Sequence, residues 1–295
     1  MTPHAQGHAA MLMFSALVAG SFSLGAQVAN DIAPAALNAV RFWVAAAVIG
    51  LLVIFTTGFP LSAFRALWRY AVLGGLFGAY FVLMFEGLKT APPVSAAAVF
   101  TLTPLLTAGF GWALLRQRMT PRMAVALVIG GLGALWVIFR ADLAALRAFE
   151  VGRGEMIYFA GCICHALYTP MVRKLNRGEP VLIFAFGTLV GGGVLLTVFG
   201  WRDLIVTPWG GMPALVWITL GYVAVFASAA TILLLQTATL RLPSAKVMAY
   251  TYLVPSWVIL WEIAFGKGLP ATVIFGGVVL TIIALGLLLR DEEKP

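Results

Sequence analysis

What most constrains the fold is a run of ten apolar segments separated by short polar turns. They fall near residues 9–27, 35–57, 67–88, 93–115, 122–139, 154–174, 181–200, 211–238, 244–265 and 270–289. A helix needs roughly 20 residues to cross about 30 Å of hydrocarbon. Lipid offers no partner for backbone polar groups, so each segment is expected to be a spanning α-helix. Composition agrees: 62% of residues are hydrophobic and 10% charged, against about 25% charged in soluble domains. The expected fold class is an all-α integral membrane protein. Residues 1–8 carry no Lys or Arg, unlike the start of a signal peptide, so the first segment is read as a spanning helix. His4 and His8, four apart at the terminus, are expected to be disordered.

The second constraint is internal. Gly87 to Pro104 (GLKTAPPVSAAAVFTLTP), moved along by 151 positions, falls on Ala238 to Pro255 (ATLRLPSAKVMAYTYLVP). Pro92 meets Pro243, Ala98 meets Ala249, Leu102 meets Leu253 and Pro104 meets Pro255. Both copies open the fourth segment of a set of five. The expectation is two five-helix units, residues 1–145 and 146–295. Five is odd, so the second unit must enter the membrane upside down. Inverted repeats of this kind surround a central cavity and let two mirror-related conformations expose it alternately.

The formal charge is +8, but the Lys and Arg stand singly in short loops rather than in a stripe, which excludes a nucleic-acid partner. Topology explains the excess better. With the N-terminus inside, the inner side holds Arg65, Arg69, Arg116, Arg118, Arg122, Arg173, Lys174, Arg177, Arg241, Lys246, Arg290 and Lys294. The outer side holds Arg41, Lys89, Arg140, Arg147, Arg153, Arg202 and Lys267, a ratio of 12 to 7. Both termini are therefore expected in the cytoplasm. Arg140, Arg147 and Arg153, in the longest loop (140–153), run against the trend.

Ten helices as 5+5, with a proline opening helices four and nine and another within each, resemble the drug/metabolite transporter superfamily in its EamA-type branch. Tyr80 in helix three, Thr101-Leu102-Thr103-Pro104 in helix four, and His165 with Tyr168 in helix six make the chain most similar to bacterial exporters of aromatic and other amino acids. The resemblance covers almost the whole chain. It implies an inner-membrane secondary transporter, not an enzyme, that works without a cofactor, as a monomer, on small-molecule substrates in the lipid bilayer. The chain departs from the family pattern at Thr103 and His165, where aromatic residues are expected, which argues against a strict aromatic preference.

His165 lies about 11 residues into its segment, roughly 16 Å deep and near the bilayer midplane. An ionisable group facing lipid there would cost several kcal/mol. It is either a neutral histidine bonded to a neighbouring helix or part of a cavity wall. Tyr168 at i+3 and Gly161 at i−4 share its face. Phe77, Tyr80 and Met84 follow helical spacing on helix three. Met248, Tyr252 and Ser256 do so on helix nine, where Tyr250 and Trp257 mark another face. A packed core explains most membrane aromatics, but the tyrosine hydroxyls need partners once buried.

The candidate substrate-binding residues are thus Asn38, Tyr80, Met84, Thr101, Thr103, His165, Tyr168, Tyr250, Tyr252 and Trp257. Pro104 and Pro255 are expected to interrupt their helices midway and release a carbonyl each. Asn38 and Arg41 could meet a substrate carboxylate or reach back to the surface. Glu86 has Lys89 at i+3 and reads as a surface ion pair. Glu262 has no base at i±3 or i±4, which makes it the better candidate for proton coupling. The spacings Gly74–Gly78 and Gly187–Gly191 suit close helix packing.

No GxxxxGK[ST], HExxH, GxSxG or aspartate-rich motif occurs, and Cys162 and Cys164, two apart on a helix, face different ways. No metal set is expected. The rival readings are a same-fold transporter of drugs or of nucleotide or sugar derivatives, and a membrane enzyme or scaffold. A phosphate-bearing substrate would want several buried Lys or Arg, which the core is expected to lack. An enzyme would want convergent acids or a metal set.

Overall fold

The computed structural model describes residues 2–139, 142 and 151–289. Arg140, Arg147, Arg290 and Lys294 of the orientation count, most of the 140–153 loop and the expected 145/146 boundary lie outside them. Among the described residues there is no strand. The spanning helices are α1 (Pro3–Val28), α2 (Pro34–Thr56), α3 (Trp68–Leu88), α4 (Pro93–Leu115), α5 (Pro121–Ile138), α6 (Arg153–Leu175), α7 (Val181–Phe199), α8 (Ala214–Thr239), α9 (Ser244–Ala264) and α10 (Ile274–Leu289). All but α6 and α10 are long and apolar enough to cross a membrane by length and composition alone. α10 is a shorter apolar helix. α6 has the length but carries Glu155 in its first turn and Arg173 and Lys174 in its last.

Proline sets most of the helix starts. Pro3, Pro34, Pro93 and Pro121 each open a helix, and Pro180, Pro213 and Pro243 stand just before one. At a helix start the missing N–H removes no bond and the fixed φ already suits the turn. Thr2 and Thr120 complete two of these starts, their hydroxyls accepting from the N–H of Ala5 and Met123 at 3.2 and 3.1 Å. The expected disorder at the N-terminus is overturned. His4 and His8 both lie in α1, and His8 Nδ1 sits 3.0 Å from the Tyr250 hydroxyl.

Three helices are not uniform. α4 is broken at Thr101–Leu102, between Pro93–Phe100 and Thr103–Leu115. α9 narrows to a 3-10 turn at Tyr250–Leu253. α8 widens to a π turn at Val225–Ala230. The expectation that Pro104 and Pro255 interrupt their helices is corrected in detail. Each is the second residue of the outgoing helical piece, so the irregular turn comes before the proline rather than at it. Nor are the carbonyls four residues upstream left open. Phe100 O accepts from the Thr103 hydroxyl at 2.6 Å, and Thr251 O accepts from the Val254 N–H.

The helix pairing has a pattern. α3 packs on α6 and α7, and α8 packs on α1 and α2. α4 packs on α6, and α9 on α1. α2 meets α7, α4 meets α9, and α5 meets α10. This set is unchanged when every helix is exchanged for the one five places away. Glycine permits the closest approaches. A Cβ on Gly74 would lie 2.1 Å from the backbone nitrogen of Gly192, where α3 crosses α7. One on Gly154 would lie 2.3 Å from the carbonyl of Gly87, where α6 crosses α3. Gly191 and Gly187 lie against Tyr70 of α3 in the same way. Gly74 and Gly192 thus bring α3 against α7, while Gly87 and Gly154 bring α3 against α6, the two helices that carry the buried rings.

Candidate functional site

Helical spacing on α3 places Phe77, Tyr80, Phe81 and Met84 on one face. The same spacing on α6 places Tyr158, Cys162, His165 and Tyr168 opposite. All eight are buried. Gly161 lets the helices close between them, since a Cβ there would come within 3.1 Å of the Tyr80 carbonyl. His165 sits at the centre of the rings. Its imidazole lies 4.4 Å from the Tyr80 ring and 5.3 Å from that of Phe100, both edge-on. Phe77 and Tyr168 lie at 6.2 Å and Phe14 at 6.4 Å. Phe77 also stacks on Tyr168 at 4.9 Å and Tyr80 on Phe100 at 5.7 Å. Edge-to-face and offset contacts at these distances are the favourable ones for aromatic quadrupoles.

The polar atoms inside this enclosure are only partly satisfied. Tyr80 and Tyr158 share a hydrogen bond at 3.2 Å between hydroxyls. The Tyr168 hydroxyl accepts from Gln236 Nε2 of α8 at 3.0 Å. Nδ1 of His165 and Oε1 of Gln236 are buried with no hydrogen-bond partner among the described residues. A buried polar atom without a partner costs about 1–3 kcal/mol, and the large majority of buried polar atoms have one. Here two that lack one flank the same rings.

The structure brings Tyr80, His165 and Tyr168 together, with Met84 on the same face of α3 as Tyr80. Thr101 and Thr103 sit at the break in α4 beside Phe100, but each gives its hydroxyl proton to the helix itself, to Ala98 O and Phe100 O at 2.6 Å. They can only accept from a bound solute. The α9 candidates point elsewhere. Tyr250 is tied to His8, and Trp257 Nε1 donates to Ser15 of α1 at 3.2 Å. The Tyr252 ring fills the space beside Gly130 of α5, and its hydroxyl is without a partner.

Asn38 belongs to a second group. Its amide nitrogen donates to Pro34 O at 2.8 Å and Phe81 O at 3.4 Å, while its oxygen accepts from Arg41 Nη1 at 3.3 Å. Arg41 is fully buried. The expectation that the core lacks buried cations fails at this residue, because Arg41 turns inward to α8 and not outward to the surface.

Of the two acids, Glu86 forms the foreseen pair with Lys89 at 2.7 Å. Glu262 pairs with Lys267 at 3.1 Å. That partner stands at i+5, beyond the i±3 and i±4 neighbours, because the chain turns back at Gly266, whose φ is +75°, and Lys267 N donates to Glu262 O. At the end where α3 begins, Arg69 and Glu179 form a buried pair at 2.6 Å. Burial alone would raise the Glu179 carboxyl, but the bonds from Arg69 and from the Arg177 N–H outweigh it and hold it below the usual range.

Sequence reasoning missed Tyr158, Phe100, Phe14 and Gln236. Tyr158 was within reach, being seven residues before His165 on the same face. Gln236, an amide deep in an apolar segment, was a visible signal. The π turn in α8 left none. A cavity of about 370 Å³ opens well away from the rings, bordered by His4, Arg118, Arg173 and Arg241, where positive charge from several helix ends converges.

A family model described as the EamA-like transporter family matches the chain twice, over residues 6–139 and 152–290. A Bacillus subtilis (strain 168) protein bearing the name uncharacterized transporter YyaM is 30% identical over 281 residues, 94% of this chain and 91% of that one. A protein of Ancylobacter novellus named aromatic amino acid exporter YddG is 34% identical over 182 residues, 61% of each chain. A solved crystal structure matches with a TM-score of 0.71 at 20% identity, covering 97% of this chain and 95% of that one, a likeness of fold.

Proposed function

The chain belongs to the EamA-like transporter family, and from that premise we propose that it exports neutral amino acids, aromatic ones among them, by alternating access. The observation that carries the substrate is the closed set of rings around His165. Its Nδ1 and the neighbouring Gln236 Oε1 are buried polar atoms ready for a solute. Rings from α1, α3, α4 and α6 would hold an apolar side chain, with Met84 beside them. The tyrosine hydroxyls and the acceptor oxygens of Thr101 and Thr103 would meet its polar end. The similarity to a protein named as an aromatic amino acid exporter supports the same substrate class.

The architecture we propose is two inverted five-helix repeats, residues 1–145 and 146–295. Its supports are the helix pairing that survives exchange by five places and the family model that matches each half separately. In this arrangement Pro104 and Pro255 stiffen the outgoing pieces of α4 and α9, so that the turns before them can flex as the halves rock. The protein would act as a monomer in the bacterial inner membrane with both termini cytoplasmic, as the Lys and Arg count supports. Glu262 is the better placed group for proton exchange: it pairs with Lys267 through Oε2, but its Oε1 is buried without a partner among the described residues, whereas Glu86 lies in a half-exposed surface pair. Tyr250, Tyr252 and Trp257 would enter the cavity wall when α1 and α9 separate.

The test is efflux from proteoliposomes preloaded with radiolabelled phenylalanine, leucine or alanine. Release faster than from protein-free vesicles is expected, together with slower release by His165→Ala and Tyr80→Ala proteins that remain folded. No accelerated release of any amino acid would remove the substrate class. Undiminished release by both variants would remove the ring cluster from the site.

A further inference from the structure

A guanidinium taken out of water needs compensation for its charge as well as acceptors for its five N–H groups. Arg41 is 0% exposed. The salt bridges among the described residues are Arg69–Glu179, Lys89–Glu86 and Lys267–Glu262, and none involves it. Its neighbours are neutral. Nε donates to the Ser228 hydroxyl at 2.5 Å, Nη2 to the Ala227 carbonyl at 2.7 Å and Nη1 to Asn38 Oδ1 at 3.3 Å. The Phe81 ring centre lies 3.5 Å from its central carbon. Three N–H groups are engaged. One remains on each terminal nitrogen, and a guanidinium can give two parallel N–H groups to the two oxygens of a carboxylate.

The backbone is shaped for this side chain. In an α-helix the Thr231 N–H would bond to the Ala227 carbonyl. In the π turn at Val225–Ala230 it bonds to Phe226 O and Ser228 O instead, and Ala227 O accepts from Arg41. The cation also adjoins the rings. Phe81, which it covers, lies 4.6 Å from Tyr80 and 4.7 Å from Phe77. A single ring therefore touches both the charge and the aromatic enclosure.

We infer that Arg41, aimed by Ser228, Ala227 and Asn38, binds the carboxylate of the transported solute, with Phe81 turning aside to join that charge to the ring cluster. The substrate class is then an organic monocarboxylate with an apolar or aromatic end. This rests on the transporter reading above and narrows its substrate. In the loaded state the carboxylate supplies the counter-charge that the protein itself does not.

Thermal stabilisation of the purified full-length protein decides it with an isosteric pair, 3-phenylpropionate and 3-phenylpropanamide, which differ only in the carboxylate. Midpoint titrations on the wild type should give the acid an affinity about tenfold or more above the amide, as expected for a buried charge pair. Arg41→Gln should bring the two within about twofold, and Arg41→Lys should recover part of the difference. Equal behaviour of acid and amide on the wild type, including no effect of either, overturns the inference whether or not the variants fold. So does a folded Arg41→Gln protein that still prefers the acid. If carboxylates bind with this preference but labelled amino acids do not leave the vesicles, the amino-acid reading fails while the anchor stands.

Discussion

Two crossings in this molecule are built on one plan and filled in opposite ways. The offset of 151 read from α4 and α9 takes Gly74 of α3 to Val225 of α8. Where α3 meets α7, glycine lies on glycine and the backbones nearly touch. Where α8 meets α2, the corresponding places hold the start of a π turn and a buried arginine reaching into it. The linings differ likewise. Phe77, Tyr80, Phe81 and Phe85 of α3 correspond to Ser228, Thr231, Ile232 and Gln236 of α8. One helix presents rings and the other presents hydroxyls and an amide. Phe14 and His165 also correspond, and they meet in the middle. On the repeat architecture proposed above, the pairing is kept because both halves must pack. The lining is free to diverge, and a solute with one apolar end and one charged end would favour the divergence seen here.

The harshest way to break the comparison is to fill the close crossing. Gly74→Leu would drive a side chain into the Gly192 backbone, which cannot yield as a flexible side chain would. The expected result exceeds the ~1–3 kcal/mol of ordinary overpacking, and size-exclusion chromatography in mild detergent should find little monodisperse protein. A leucine at Val225, the equivalent place, is 36% exposed in the native chain and should be tolerated. Equal yields from both substitutions would mean that the two crossings do not differ as described.

The entrance to α3 has its own clamp. Glu179→Gln leaves Arg69 buried without its counter-charge and should cost about 3 kcal/mol, read as a lowered denaturation midpoint. The sign with pH follows from the lowered carboxyl of Glu179. Its stabilisation is complete above the ordinary carboxylate value of 4.5. It is lost as pH falls below that value through the lower folded one. The wild type should therefore lose more stability on acidification than the variant, which lacks the titrating group.

The plan of the two crossings was legible in the chain, and the filling was not. Apolar length marked the ten spanning segments among the described residues, eight of them as long and apolar as a crossing needs, since lipid leaves a spanning segment one way to satisfy its backbone. His165 was marked by its depth near the midplane and Tyr168 by its helical spacing from it, and Tyr80 came with the family resemblance. What spacing cannot report is which neighbour a side chain turns to. Arg41 read equally well as reaching for the surface. Its inward turn depends on an acceptor made by a π register 186 residues away in sequence. Lys267 was missed for a related reason, because a turn at Gly266 brings i+5 within reach of Glu262.

At the rings themselves the effects should be smaller in stability and larger in transport. His165→Ala removes the group that the rings of Phe14, Phe77, Tyr80, Phe100 and Tyr168 surround. Efflux of phenylalanine should fall about tenfold, the equivalent of ~1.4 kcal/mol, with the denaturation midpoint little changed. Phe14→Ala, at the corresponding place in α1, should lower stability more than flux, because Phe14 offers only packing. If the two variants behave alike, the difference in lining has no functional meaning.

The finest distinction lies between two single oxygen atoms. Ser228→Ala takes from Arg41 the acceptor of its Nε, and Tyr80→Phe takes from Tyr158 its hydroxyl partner. Each loss is about 1 kcal/mol by the ordinary worth of a hydrogen bond, but the consequences should differ in kind. Without Ser228 the guanidinium keeps Ala227 and Asn38 yet loses the contact that fixes its plane, so the concentration of phenylalanine giving half-maximal efflux should rise while the maximal rate holds. Without the Tyr80 hydroxyl the rings stay in place, so affinity for phenylalanine should hold, and the change should appear in solutes that need a polar partner beside His165, such as tyrosine. Initial-rate efflux over a concentration series of both amino acids separates the two outcomes. A Ser228→Ala protein that changes the rate for tyrosine alone would place the charged end of the solute elsewhere than Arg41.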